Sequence, residues 1–158
     1  MDVIITKKYY FMIFGLAFVW ATCFSAYGID SWITRTLNIL IAMYLLHEPF
    51  HALTAYLVGT EVKTIHLDPS NNFTLFYPLL SLDQKENNYK EAAIYFAGTA
   101  LDISGVFIIT GICLKIMILS NDPLPMLFAA LLDITAILSM MVPGSDYQIC
   151  KEKLNADV

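Results

Sequence analysis

Charged residues are scarce in this sequence and nearly absent from long parts of it. Only 15% of the 158 residues are charged and 58% are hydrophobic, whereas about 25% of residues are charged in an ordinary soluble domain. Four stretches, at about 9–28, 36–59, 92–118 and 123–145, contain at most two charged residues each. Each can cross a hydrocarbon core, which takes about 20 helical residues, and none has the polar stripe of a helix in a soluble bundle. The sequence therefore predicts an all-α integral membrane protein with four transmembrane helices in the lipid bilayer.

The scarcity of basic residues and of cysteines excludes two further kinds of protein. The net charge is −5 and no basic stripe is present, which argues against a nucleic-acid partner because nothing would replace the phosphate counterions. Only three cysteines occur, at positions 23, 113 and 150. Their odd number and wide spacing do not suggest a disulfide framework.

The few basic residues predict an orientation. The first apolar stretch is long for a secretory signal, whose apolar core runs about 7–15 residues, so we interpret it as a helix of the mature protein. With a cytoplasmic N-terminus, one side of the membrane would carry seven lysines and the other only two basic residues: Lys7, Lys8, Lys63, Lys85, Lys90, Lys151 and Lys153 inside, and Arg35 and Lys115 outside. This positive-inside bias predicts that both termini are cytoplasmic.

The sequence predicts a single domain, 1–158, with one long connection at 60–90. Within it, "EVKTIHL" and "FTLFYPLL" are rich in strand-forming residues, and "DPSNN" at 68–72 between them is dense in turn residues. The sequence predicts a small β-hairpin at the membrane surface between the second and third helices.

The second apolar stretch contains "HEPFH", with His47, Glu48 and His51. On a helix His51 lies one turn beyond His47 and only about 40° around the axis, so both imidazoles can reach one ion. Glu48 lies on the flanking side, where it can reach a water molecule without being a ligand. This is the HExxH pattern of zinc hydrolases, with two nitrogen ligands and a general base. Ionisable groups at membrane depth are costly and usually functional.

A catalytic zinc site needs a third protein ligand. The candidates are His66, Cys150 and the carboxylates, of which Asp146 is the most attractive because the fourth helix should end on the same side as the second. Asp102 and Asp133 should lie deeper, where one of them can orient an imidazole from behind.

The order and spacing of three segments resemble the site-2-protease class of intramembrane zinc metalloproteases, including related small zincin-like membrane peptidases. The segments are "HEPFHALTAYLVGTEVKTIHLDP", "FAGTALDISG" (96–105) and "MMVPGSDYQI" (140–149), so the resemblance covers about residues 36–150. It implies His47, His51 and Asp146 as zinc ligands and Glu48 as the base. It also makes Thr99 and Asp102 candidates for substrate binding.

The sequence departs from that family's pattern at several positions. Thr99 stands where a proline is usual, Asp102 where an asparagine is common, and Tyr147 where a glycine commonly follows the aspartate. Pro49 lies inside the motif, where it removes a helical hydrogen bond and crowds the carbonyl of Leu45. Either the resulting kink opens a wet pocket, or it moves Glu48 or His51 out of reach and leaves a metal-binding relic.

The sequence thus favours a zinc endopeptidase, with Zn²⁺ as cofactor, acting on a membrane protein or peptide. Two other hypotheses remain open. One is a catalytically inactive metal-binding or scaffolding membrane protein of the same fold, whose structural zinc would take a fourth ligand. The other is a small transporter that uses Asp102 and Asp133 as relay carboxylates.

Overall fold

The computed structural model describes residues 2–5, 7–60, 64–67, 79–81 and 88–156. Five helices dominate this part of the chain, together with three short strands. In chain order the elements are β1 (Asp2–Ile5), α1 (Lys7–Tyr27), α2 (Trp32–Leu57), β2 (Thr64–Leu67), β3 (Leu79–Ser81), α3 (Asn88–Ser120), α4 (Leu124–Met141) and α5 (Asp146–Asn155).

Local signals explain where several helices begin and end. The Ser31 side chain accepts a hydrogen bond from the amide of Thr34 and caps α2, so this helix begins at Trp32, four residues before the predicted start. Helix α4 ends at Met141, four residues before the predicted end. The reason is the following Pro143-Gly144 pair, since proline disfavours helix in the residue before it and Gly144 has a φ of 83°, which glycine adopts without strain.

Three of the described helices are long and apolar enough to span a membrane: α1, α3 and α4. The sequence predicted four spans, and this finding supports three of them. Helix α2 has 26 residues and so the length to cross, but the polar residues of its "HEPFH" segment lower its mean hydropathy. The three candidate spans are consistent with a helical membrane protein.

The predicted hairpin between α2 and α3 also needs correction. The described strands form a three-stranded sheet in the order β1-β2-β3, with β1 parallel to β2 and β2 antiparallel to β3. The start of the chain thus supplies a strand that the sequence did not indicate, and a two-stranded hairpin alone would be only marginally stable. The turn predicted at 68–72 lies outside the described residues.

The sheet fixes which helix ends lie together. Because β1 leads directly into α1 and pairs with β2, which follows α2, the start of α1 and the end of α2 lie at one end of the molecule. The start of α3 is at this end too, since β3 pairs with β2. An ion pair between Glu91 near the start of α3 and Lys153 near the end of α5 brings the C-terminal helix there. We call this the sheet end.

The apolar core lies between α2, α3 and α4, where Met43, Ile109, Cys113 and Ala129 are buried together. Gly105 on α3 lets Met43 approach so closely that a side chain there would overlap it. Many large apolar side chains point outward instead, and α1 has no buried residue. Such an apolar exterior is expected for helices that face lipid.

Candidate metal centre

Three ionisable side chains of α2 point into the protein. His47, Glu48 and His51 have exposed fractions of only 1%, 2% and 2%. One donor atom from each of the three lies within 4.8 Å of the others, so the group can hold a metal ion. The opposite side of α2 is apolar and exposed, including Leu45, Leu46 and Leu53.

Pro49 does not break this arrangement. Helix α2 continues through it to Leu57, and the Nε2 atoms of His47 and His51 lie 3.1 Å apart. Both imidazoles therefore remain within reach of one ion despite the proline, and whether a kink opens a wet pocket stays a prediction. The proline ring lies on the exposed side of the helix.

Asp146 reaches the histidines from the other end of the sequence. After α4 ends, a turn at 142–145 leads into α5, and Ser145 caps α5 by accepting a hydrogen bond from the amide of Gln148 and donating one to the carbonyl of Met140. Asp146 is thus the first residue of α5. Its Oδ2 atom lies 2.8 Å from Nε2 of His47 and 3.0 Å from Nε2 of His51.

The two Nε2 atoms and the Asp146 oxygen thus form a triangle with edges of 2.8, 3.0 and 3.1 Å. Ligand atoms of a tetrahedral zinc ion are separated by roughly 3.3 Å, as its bond lengths of about 2.0–2.1 Å require. The triangle matches this spacing to within about half an ångström, and three protein donors leave one coordination position open.

The outer nitrogen of each ring has its own acceptor. His51 Nδ1 donates to the backbone carbonyl of Ile94 at 2.6 Å, and His47 Nδ1 lies 3.3 Å from a carboxylate oxygen of Asp102. Metal-binding histidines commonly have such partners, which fix the tautomer and the ring orientation. The structure thus places Asp102 behind His47, in the orienting position considered above.

These contacts leave three acceptor atoms facing one another. A carbonyl can only accept, so Nδ1 of His51 carries the proton and a neutral ring presents a lone pair at Nε2. The same holds for His47 if it donates to Asp102. Two lone pairs and a carboxylate oxygen at about 3 Å repel one another unless a cation, either an added proton or a metal ion, lies among them.

Asp146 is strongly favoured as an anion. Burial raises the pKa of its carboxyl group, but when a proton on each ring completes the hydrogen bonds from His47 and His51, these outweigh burial and hold the pKa at about 2. A carboxylate whose side chain is only 23% exposed is stabilised by a nearby positive charge.

Glu48 differs from Asp146 in being unsatisfied. Among the described residues, no hydrogen-bond partner contacts its buried Oε2 atom. Glu48 and Asp146 both have donor atoms near the histidines, but only Asp146 places an oxygen at about 3 Å from both Nε2 atoms. Asp146 is thus the carboxylate in hydrogen-bond contact with both imidazoles, and Glu48 is a second, buried carboxylate beside them.

Helix α3 packs against both imidazole rings, and Gly98 leaves the space that their Cε1 atoms approach. A Cβ atom at this position would lie 2.6 Å from Cε1 of His51 and 2.7 Å from Cε1 of His47. Sequence reasoning did not single out Gly98, although it lies in the "FAGTALDISG" segment. The neighbouring Thr99 is buried, and Tyr95 packs edge-on against His51 at a ring distance of 6.0 Å.

The remaining candidates lie elsewhere or outside the described side chains. Asp133 accepts a hydrogen bond from Thr110, which joins α4 to α3 away from the histidines. Cys150 is a buried free thiol one turn beyond Asp146 on α5. His66 lies in β2, and its side chain is outside the described part of the structure.

Comparisons with protein-family models, with curated proteins and with solved structures found no match.

Proposed function

We propose that this chain is an intramembrane zinc metalloprotease that hydrolyses peptide bonds of membrane-associated proteins. The observation that carries the proposal is the meeting of three donors from distant parts of the sequence, His47, His51 and Asp146, next to the buried carboxylate of Glu48. A single motif could be fortuitous in an apolar helix. A third donor arriving 95 residues later, with an acceptor behind each ring, is much harder to explain without a metal.

The donor set suits zinc, since two imidazoles and one carboxylate form a common catalytic zinc site. The same set also occurs in non-haem iron(II) oxygenases. The buried carboxylate beside the donors favours zinc hydrolysis, because this is where a general base must be.

We propose that α2 is a fourth membrane-embedded helix. Its outward side chains are large and apolar and its ionisable groups face inward: Leu45, Leu46, Phe50, Leu53, Tyr56 and Leu57 are all more than a third exposed, while His47, Glu48 and His51 are buried. Low mean hydropathy is expected of a span whose polar residues line an internal site. In this arrangement the sheet end carries Lys7, Lys8, Lys90, Lys151 and Lys153 and the other end Arg35 and Lys115, which favours a cytoplasmic sheet end with both termini there.

Each polar residue then has a definite task. His47, His51 and Asp146 hold the ion, which when bound supplies Lewis acidity that polarises a carbonyl oxygen and acidifies water. Glu48 accepts the proton of the attacking water on its unpaired oxygen and returns it to the leaving amine. Asp102 keeps the His47 ring oriented.

The substrate peptide must be locally extended, because the peptide groups of a helix are already hydrogen-bonded within it. The sheet favours such a substrate, since an edge strand can add an unwound segment by main-chain pairing. We propose a single-span membrane protein or a membrane-bound peptide as the partner, cut near the sheet end.

The test compares purified parent protein with Glu48→Gln and Asp146→Ala variants. Zinc content is measured by elemental analysis, and cleavage is followed on fluorescent casein and on a single-span transmembrane peptide in detergent. We expect about one zinc per parent chain, zinc retained without cleavage in Glu48→Gln, and loss of both in Asp146→Ala. Asp133→Asn is the matched control and should resemble the parent.

Two results would redirect the proposal. A parent that contains iron instead of zinc would point to oxidative chemistry. A parent that holds zinc but cleaves neither substrate, with Glu48→Gln giving the same zinc content and stability, would favour the catalytically inactive metal-binding or scaffolding protein.

A further inference from the structure

The third donor, Asp146, lies on a separate short helix. Helix α5 has only ten residues and follows the last candidate span. A short isolated helix is marginal in water, so packing must fix its position along α3. Any slip of α5 along its axis would move Asp146 away from the histidines.

An ion pair between Lys153 and Glu91 connects α5 to α3 and can fix the position of α5. Lys153 Nζ contacts Oε2 of Glu91, whose side chain is only 8% exposed, while that of Lys153 is 32% exposed. Glu91 lies in the first turn of α3, and Lys153 lies in the last turn of α5. The two helices therefore run in opposite directions where they meet.

The spacing on the two helices matches. Asp146 and Lys153 are seven residues apart on α5, and Glu91 and Gly98 are seven residues apart on α3. Seven residues bring a helix back to nearly the same face after about 10.5 Å. Lys153 meets Glu91 at one end of this interval, while Asp146 and Gly98 both adjoin the histidine rings at the other. Cys150, between the two ends of the α5 face, is buried.

We propose that the Glu91–Lys153 pair is the register device of the metal centre: it fixes α5 along α3 so that Asp146 meets the histidine pair. Glu91 and Lys153 are positioning residues, since neither is a ligand. A slip of α5 by one turn would break the ion pair between Lys153 and the buried Glu91 carboxylate, which opposes the slip. Metal binding and the docking of α5 are therefore linked, and each strengthens the other.

This inference rests on the metal site of the proposed function, and zinc affinity tests it independently of proteolysis. The dissociation constant for zinc is measured by competition with a chromogenic chelator, on the full-length protein in detergent. Lys153→Gln should raise it at least about fivefold, the lower end of typical coupling between sites. Lys151→Gln, on an exposed position of the same helix, is the matched control and should stay within about twofold of the parent.

A double-mutant cycle separates positioning from general destabilisation. In an Asp146→Ala background the ligand that the ion pair positions is gone, so Lys153→Gln should have no further effect on zinc affinity. If Lys153→Gln does not fold, Glu91→Gln takes its place with the same expectation.

Each outcome decides the matter. If the parent and Lys153→Gln bind zinc equally while Asp146→Ala binds weakly, the register device is wrong and the metal site stands. If Lys153→Gln weakens binding equally with and without Asp146, the ion pair is merely structural and the inference also falls. If the parent binds no zinc, both this inference and the proposed function fail.

Discussion

Replacing Gly98 by alanine tests the geometry of the metal centre most directly. The added methyl group would lie 2.6 Å from Cε1 of His51 and 2.7 Å from Cε1 of His47, nearer than packed carbon atoms approach, since their optimal separation is about 3.5–4.0 Å. The His51 ring cannot swing away freely, because its Nδ1 donates to the carbonyl of Ile94 at 2.6 Å. The rings or the whole of α2 must therefore shift, and the donor triangle opens.

The size of the effect follows from the cost of overpacking, which is about 1–3 kcal/mol. If this strain falls on the metal-bound geometry, zinc affinity should drop by roughly 5- to 150-fold, as 1.4 kcal/mol is a factor of ten. The gain in helix propensity from glycine to alanine, about 1 kcal/mol at most, affects the fold and not the donors.

Gly111→Ala is the matched control on the same helix, because nothing lies within 4 Å of a Cβ atom placed there. Zinc affinity is measured by chelator competition, and folding is checked by circular dichroism. We expect Gly111→Ala to bind zinc like the parent. Parental affinity in a folded Gly98→Ala variant would refute the close packing of α3 against the two imidazoles.

Three further substitutions probe the surroundings of the site. Asp102→Asn should weaken zinc binding about 10- to 100-fold, as is typical when the partner behind a metal-binding histidine is lost; unchanged affinity in the chelator assay would show that Asp102 does not orient His47. Pro49→Ala should raise the free energy of unfolding by up to roughly 3 kcal/mol, the cost of a proline inside a helix, and zinc should be retained. Chemical denaturation measures the change in stability. A loss of zinc would show that the site needs the proline. Thr110→Val should remove the hydrogen bond to Asp133 and lower thermal stability by about 1 kcal/mol, while zinc affinity should not change. Weaker zinc binding in this variant would mean that Asp133 is coupled to the metal site.

Local patterns in the sequence predicted the part of the site that lies within one helix. His47 and His51 are four residues apart, so helical periodicity alone places both rings on one side. No periodicity connects residues 95 positions apart. Asp146 was expected there because the fourth helix should end on the same side of the membrane as the second, and because the sequence resembles a protease family. The structure places Asp146 beside the rings, and its role as a ligand stays a prediction.

Several parts of the site could not be predicted because their sequence signal is weak or absent. The carbonyl of Ile94 is a backbone atom that any residue would supply. Gly98 is one glycine among seven, and its value depends on what packs against it. The Glu91–Lys153 pair joins residues far apart in sequence, and strand β1 is only four residues long.

For α2, mean hydropathy argues against a membrane span, whereas the directions of its side chains are compatible with one. A hydropathy average counts the histidines and glutamate of α2 against a membrane span, although all three face inward. The polar residues that make a buried site possible are thus the ones that weaken the transmembrane signal. Mean hydropathy is therefore a weak guide for a helix whose polar residues face inward, whereas the scarcity of charge in 36–59 did predict a span there.

The charges around the metal centre fit a divalent ion in a poorly solvated site. Two neutral imidazoles contribute nothing, while the carboxylates of Asp146 and Asp102 contribute one negative charge each, so a divalent cation makes the group neutral. Neutrality matters here because uncompensated charge is costly where water is scarce. Glu48 lies outside this balance as a third carboxylate beside the position proposed for the ion, with its Oε2 atom unpaired among the described residues. Taking up a proton would remove its excess charge, which is the step that a general base must perform during hydrolysis.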